Sequence, residues 1–374
     1  MKLEIVIFGL AITSSWGNGH AVTYRGLAKA LHAAGHRVTF LERDLPWYRA
    51  HRDLEHADYC GIELYRHLKE ASARFHDIVG RADLVMLGSY VPDGALLADW
   101  ITSRARGVTA FYDIDTPVTL AGLDADQAGY ISAALIPRFD LYLSFTGGPA
   151  LALIEDIYGS PRARALYCAA DLDTHRPCEL PAKWTLGYLG TYSADRQGNL
   201  EELLLQPARR LPNQRFVVAG PKYPASVQWP ANVQRIEHLS PAEHPAFYGA
   251  QRYALNVTRA DMVQAGFSPS VRLFEAAACG VPIITDRWAG LDSIFTPGEE
   301  IILVENAAQV LDVLEYLPEE RRRAIAAAAR KRLLASHTPD HRAKQLEAYY
   351  REVIAFRRGR HRVNVATPME LQID

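Results

Sequence analysis

Cysteine is scarce in this chain and dispersed where it occurs. The 374 residues hold four, Cys60, Cys168, Cys178 and Cys279, none in a C-x-x-C pair. The spacing of a metal-thiolate or redox site is therefore missing, and a reduced, cytoplasmic setting is expected. Long apolar runs are missing as well: no stretch approaches the roughly 20 residues that cross a bilayer. The N-terminal apolar segment is broken by Glu4 and runs into a glycine-bearing loop, so it reads as a first strand and not as a signal peptide. Charge of one sign is not in excess. With 41 Lys plus Arg against 43 Asp plus Glu, the net charge of -2 gives no electrostatic reason to expect nucleic acid as a partner. A local basic run, Arg357, Arg358, Arg360, His361 and Arg362, reads as a solvated tail whose other use would be contact with a membrane surface or a partner.

What is present is a globular composition, 49% hydrophobic and 22% charged, in a length suited to two domains. Leu3 to Leu10 is a compact apolar run, a Ser/Gly/Asn-rich loop follows, and Ala21 to Ala34 has helical spacing through Leu27, Ala30 and Leu31 before Gly35 and a second apolar run. That is one β-α-β unit. Leu84 to Leu87, Thr109 to Tyr112 and Leu141 to Phe145 continue the pattern of short buried strands between helices, which implies a parallel sheet covered on both faces. Pro177 and Pro181 fall in an aperiodic stretch taken as a linker. After it, strand candidates recur at Leu186 to Leu189, Arg215 to Ala219, Val233 to Ile236, Tyr253 to Val257, Pro282 to Thr285 and Ile301 to Val304. The expected organisation is an N-terminal Rossmann-like domain over 1–170, a linker over 171–183, a second such domain over 184–340, and a helix and tail over 341–374 that packs back on the first domain.

The run from Gly266 through Ser268, Pro269, Ser270, Val271, Arg272 and Glu275 to Gly280 and Pro282 carries the most chemistry. Ser268 before Pro269 predicts a helix start, since proline costs nothing at the first helical position and serine can cap free N–H groups. Such a start is an anion site, with Arg272 placed to neutralise a pyrophosphate. The run resembles the donor-binding segment of GT-B glycosyltransferases, and in particular the bacterial branch of spore-maturation enzymes of the CgeB type. The resemblance covers about residues 165 to 345 well and the N-terminal half in general layout only. It implies two Rossmann-like doubly wound domains facing a cleft, a ribose-binding carboxylate at Glu275, and a donor-diphosphate contact at Arg196. It also implies that Glu237, His238 and Leu239 hold a nucleobase through their backbone. The Gly190, Thr191 and Tyr192 loop and Gly220 follow strands and suit backbone approach to a phosphate; Arg259, after its own strand, suits donor phosphate or sugar. Where many retaining relatives carry a further glutamate, this chain has Phe267.

On the N-terminal side the Gly17, Asn18, Gly19 loop allows close backbone approach to a ligand, and His20 is a candidate general base because imidazole titrates near neutrality. Asp113 and Asp115 follow a strand and share a side if the strand continues, so either could act as base or orient His20. Their D-x-D spelling does not lead us to a metal, since GT-B enzymes use cationic side chains and a helix terminus instead. Thr146 and Gly147 are expected at the cleft, and Trp47 and Tyr48 either stack on a sugar or pack inside.

The expected activity is metal-independent transfer of a sugar from a nucleoside-diphosphate sugar to an acceptor hydroxyl, with no cofactor and a slight preference for inversion. Two other readings stand beside it: a non-catalytic nucleotide-sugar binder, and a nicotinamide-dependent oxidoreductase. The second would need G-x-G-x-x-G, and the pattern fails because Val22 follows Gly17 and Gly19.

Overall fold

The structure, a computed structural model, describes residues 2–17, 19–125 and 127–365. Asn18 therefore lies outside the described residues. The first apolar run forms β1 (Glu4–Gly9), in which Ile5 and Ile7 join one core cluster while Val6 and Phe8 join another. Alternation along a strand sends successive side chains to opposite faces, and here both faces are dry. The same division recurs in β4 (Leu84–Gly88), where Leu84 and Met86 face one layer and Val85 and Leu87 the other.

With β2 (Arg37–Arg43), β3 (Gly61–Tyr65), β5 (Val108–Asp113), β6 (Leu141–Ser144) and β7 (Ala163–Ala165), these strands make a seven-stranded sheet in the order β3-β2-β1-β4-β5-β6-β7. Every pairing in it is parallel. The order reverses between β1 and β4. A second parallel sheet holds β8 (Trp184–Leu189), β9 (Phe216–Ala219), β10 (Val233–Ile236), β11 (Gln251–Asn256), β12 (Ile283–Thr285) and β13 (Ile302–Leu303), in the order β10-β9-β8-β11-β12-β13. Its reversal lies between β8 and β11. Doubly wound sheets bind ligands beyond the carboxyl ends of their strands at such reversals, and the loops after β1, β8 and β11 are the ones that matter below.

Two strands escaped the sequence reading. In β3 only Tyr65 is fully buried, and in β7 only Ala163, so neither edge strand shows a continuous apolar run. The C-terminal helix Pro339–Val365 packs along the first helix, His20–Ala33. Glu347 accepts from His36 at 2.9 Å and the Tyr349 hydroxyl donates to the Ala165 carbonyl at 2.9 Å. The basic run is not simply a solvated tail: Arg357 sits on this helix and donates to both carboxylate oxygens of Asp140, at 2.7 and 2.8 Å. Arg358 is exposed, and the side chains of Arg360, His361 and Arg362 lie outside the described residues. No helix among the described residues is long and apolar enough to cross a membrane.

Candidate functional site

The carboxyl ends of the two sheets enclose a cavity of about 390 Å³. Gly17, Gly19, His20 and Asp115 line it from the first sheet's side. Gly190, Thr191, Arg196, Gly220, His238, Leu239, Arg259, Ser270, Val271, Arg272 and Glu275 line it from the second.

The helix Val271–Ala278 points its N-terminus into this cavity. Its N-cap is Ser270 and not Ser268, because Ser270 still has extended backbone angles, φ -77° and ψ 150°. Ser270 does not cap through its side chain; its Oγ donates to Asn256 Oδ1 at 2.7 Å, and of the first-turn amides Leu273 bonds the Ser270 carbonyl at 3.2 Å, which leaves those of Val271 and Arg272. Ser268 is buried elsewhere: its Oγ meets Thr146 Oγ1 at 2.9 Å, and the Gly147 amide donates to the Phe267 carbonyl at 2.9 Å. Thr146 and Gly147 thus build the seam between the two sheets' loops and do not line the cavity.

Arg272 is more anchored than a surface cation. Its Nε donates to the Leu189 carbonyl, Nη1 to Asn256 Oδ1 at 2.6 Å, and Nη2 to the Tyr188 hydroxyl at 3.4 Å, with the guanidinium 4.5 Å from the Tyr188 ring centre. It presents positive charge at the helix tip and also ties that tip to β8 and β11. Arg196 is held lightly, through Nη2 to the Thr191 carbonyl at 2.7 Å. Between them the loops after β8 and β9 nearly touch. At Gly220, φ is +137° and a Cβ would fall 2.1 Å from the Gly190 carbonyl oxygen, so only glycine fits. Tyr192 does not reach the cavity; it packs edge-on against Tyr223, ring centres 5.5 Å apart.

Opposite, the buried Glu42 carboxylate accepts from the amides of Ile12 and Thr13 at 2.7 and 2.9 Å and from the Thr13 hydroxyl at 2.6 Å. This fixes the root of the loop that delivers Gly17, Gly19 and His20. Gly19 lies against the donor-side helix: a Cβ there would sit 3.6 Å from Val271 Cγ1. Burial of the His20 ring, with Arg259 nearby, lowers its pKa to about 4 and keeps it neutral at pH 7.

Asp113 and Asp115 part company. β5 ends at Asp113, whose carboxylate accepts from the Tyr142 and Thr119 hydroxyls at 2.5 and 2.8 Å and from the Asp115 amide. It is fully buried and does not line the cavity, and its bonds organise the loop after β5. Asp115 lines the cavity. Its Oδ2 accepts from the Tyr90 hydroxyl at 2.9 Å and from Arg259 Nη1 at 2.8 Å, while burial raises its pKa against the pull of Arg259. Trp47 is 53% exposed and Tyr48 is buried among Ala11 and Leu45; neither lines the cavity.

Three buried polar atoms here lack any hydrogen-bond partner: Asp115 Oδ1, Arg196 Nε and Arg259 Nε. A buried unpaired polar atom costs about 1–3 kcal/mol. All three belong to residues that line the cavity, and Arg259 Nε has the Asp195 carboxylate 3.6 Å away. His244, Phe145, Cys168 and Met262 also line it and carried no motif in the sequence.

Residues 196–348 match the family model described as Glycosyl transferase-like. No curated protein matches the chain in sequence. Solved structures match over nearly the whole chain. A sucrose-phosphate synthase from Thermosynechococcus elongatus superposes with a TM-score of 0.66 at 16% identity, covering 94% of this chain and 99% of that one. Anabaena HepE in complex with UDP and glucose gives 0.70 at 12%, covering 92% and 98%. An alpha-glucosyltransferase in complex with UDP-glucose and DNA gives 0.69 at 13%, covering 94% and 100%. The fold is that of the GT-B glycosyltransferases. Both GT-B sheets, with 7 and 6 strands, are accounted for.

Proposed function

We propose that this GT-B protein transfers a glycosyl group from a nucleoside-diphosphate sugar to an acceptor hydroxyl in the cavity. The observation that carries the reading is the uncapped N-terminus of the Val271–Ala278 helix facing the cavity beside Arg196 Nε, a donor without a partner. In this reading the diphosphate lies on the first-turn amides, with Arg272 behind them and Arg196 in front, and these groups stabilise the charge that builds on the leaving diphosphate. The base lies against His238 and Leu239. Glu275, whose Oε2 accepts from the Tyr248 hydroxyl at 3.3 Å, lines the cavity one turn into the helix and takes the ribose hydroxyls. UDP and UDP-glucose, named with the structural neighbours, are the first donors to try.

On the acceptor side, His20 and the Asp115 Oδ1 atom are the groups able to take a hydroxyl proton. Either one, acting on a hydroxyl that attacks from the face opposite the diphosphate, produces inversion at the anomeric carbon. No step in this scheme calls for a metal at the diphosphate. The near-neutral charge gives no reason to carry the DNA acceptor of one neighbour over to this chain.

The test is ligand-induced thermal stabilisation with a panel of nucleotide sugars, followed by transfer assays with the donor that stabilises most. UDP or another nucleoside diphosphate should raise Tm in the wild type and much less in Arg196→Ala. Equal shifts in the two proteins would remove the diphosphate from this helix. His20→Ala should keep donor binding and lose most turnover; unchanged turnover leaves Asp115 as the proton acceptor.

A further inference from the structure

His175, His244 and Glu275 come from three distant parts of the chain and meet at the floor of the cavity, 1%, 8% and 4% exposed. His175 belongs to the stretch joining the two sheets, His244 opens the helix His244–Gly249, and Glu275 lies on the Val271–Ala278 helix. Nε2 of His175 is 3.1 Å from Nδ1 of His244 and 3.5 Å from Glu275 Oε1, and the last two are 3.9 Å apart.

The backbone fixes the proton of one ring. His175 Nδ1 lies 3.1 Å from the Asp171 carbonyl, which can only accept, so the ring's proton belongs there and Nε2 presents a lone pair. His244 turns its Nδ1 on the same lone pair, at 3.1 Å. The His175 Nε2 lone pair and the Glu275 Oε1 atom thus face each other 3.5 Å apart out of water, where both call for a positive partner. The three are donor atoms of one class, nitrogen and oxygen, which suit a zinc-like divalent ion. Atoms bound at ~2.0–2.1 Å to a tetrahedral ion lie ~3.3 Å apart, and the three separations bracket that value. His244 and Glu275 line the cavity, so a fourth coordination position opens towards it. The outer partners are also fixed: Asp171, whose carbonyl orients His175, has its carboxylate bonded by Lys29 Nζ at 2.6 Å.

We propose that His175, His244 and Glu275 bind a divalent transition-metal ion of the zinc class, with one exchangeable position facing the cavity. The ion links the stretch between the sheets to the donor helix. It lies at the ribose end of the helix floor and not at the expected place of the diphosphate, so it stands apart from metal use at the leaving group.

The experiment uses the full-length protein without an affinity tag. Elemental analysis after exhaustive dialysis should find about one equivalent of zinc. After chelator stripping, cobalt(II) should restore one equivalent with the intense visible d–d absorption of a tetrahedral site. His175→Ala, checked for fold by circular dichroism, should lose at least nine-tenths of both signals. A folded wild type that holds no zinc and gives no cobalt spectrum overturns the proposal and leaves the rings sharing a proton with Glu275. So does a folded His175→Ala that keeps both signals. If His175→Ala does not fold, the wild-type metal content and cobalt spectrum still decide. Donor binding is read separately by UDP stabilisation, so loss of one result leaves the other standing.

Discussion

Arg259 Nη1 donates to Asp115 Oδ2 at 2.8 Å across the cavity, joining the loop after β11 to the loop after β5. The pair is a charged tie across the cavity; Asp115 Oδ1 has no hydrogen-bond partner, and Arg259 Nε lies 3.6 Å from Asp195 Oδ2. Removing one member strands the other in a largely dry place, whereas removing both does not. Asp115→Asn and Arg259→Gln should therefore each destabilise the protein, while the double variant falls well short of the sum. Because the Arg259 side chain is 30% exposed, the coupling should be about 1–2 kcal/mol, below that of a fully buried pair. Urea denaturation of the four proteins gives the cycle, and strictly additive losses would show that the two groups do not act together.

Arg196 and Arg272 should separate binding from stability. Arg196 makes one bond to a neighbouring carbonyl, while Arg272 holds Leu189, Asn256 and Tyr188 together. Arg196→Ala should leave the unliganded Tm within a degree or two and weaken nucleoside-diphosphate binding about tenfold, the loss of one charge-assisted hydrogen bond. Arg272→Ala should lower the unliganded Tm by several degrees as well, since three buried partners lose their donor. Calorimetric titration with UDP, paired with thermal melts, separates the two; an Arg196→Ala protein that binds normally would contradict the placement of the diphosphate.

Gly220→Ala tests the contact between the loops after β8 and β9. A methyl group there would collide with the Gly190 carbonyl at 2.1 Å on a backbone already at φ +137°. The loops must part. We expect a loss of about 2–3 kcal/mol in stability and of UDP binding together, by denaturant titration and calorimetry. Gly198→Ala is the control, for nothing lies within 4 Å of the added methyl. A Gly220→Ala protein as stable as this control would show that the close approach is not required.

The fold class was legible because buried parallel strands leave a plain mark: Ile5-Val6-Ile7-Phe8 and Leu84-Val85-Met86-Leu87 are apolar at every position. β3 and β7 were not, since edge strands bury one face or a single residue. The run around Arg272 read correctly as a helix after a proline, yet its cap was misplaced by two residues. Ser268 and Ser270 are equivalent as letters, and only the seam with Thr146 decides between them. Asp113 and Asp115 looked interchangeable for a similar reason. Which one faces the cavity depends on β5 ending at Asp113 and on Tyr142 and Thr119 consuming its carboxylate, contacts made with residues 29 and 6 positions away. His175 and His244 carried no signal, because three groups spread over a hundred residues become a cluster only when the second sheet forms.

The dependence of stability on pH should be set in part by a histidine that does not line the cavity. Burial, with Arg342 and Arg332 close by, lowers the His337 pKa to about 3; its ring packs on Phe274 and Phe295. In the unfolded chain the same ring titrates near its ordinary value of about 6.5. Between those two values the unfolded state binds the proton and the folded state does not, so the unfolded state gains on acidification and stability falls as pH drops from about 6.5 towards 3. Above about pH 7 the ring is neutral in both states and contributes no slope. His20, lowered to about 4 by burial and Arg259, adds a slope of the same sign over a narrower window. His337→Gln removes the group and should flatten the decline between pH 6.5 and 4, even though it lowers stability at pH 7 by taking the ring out of its packing. Denaturant titrations of wild type and variant across that range measure the slopes directly, and parallel curves would mean that His337 is protonated in the folded protein.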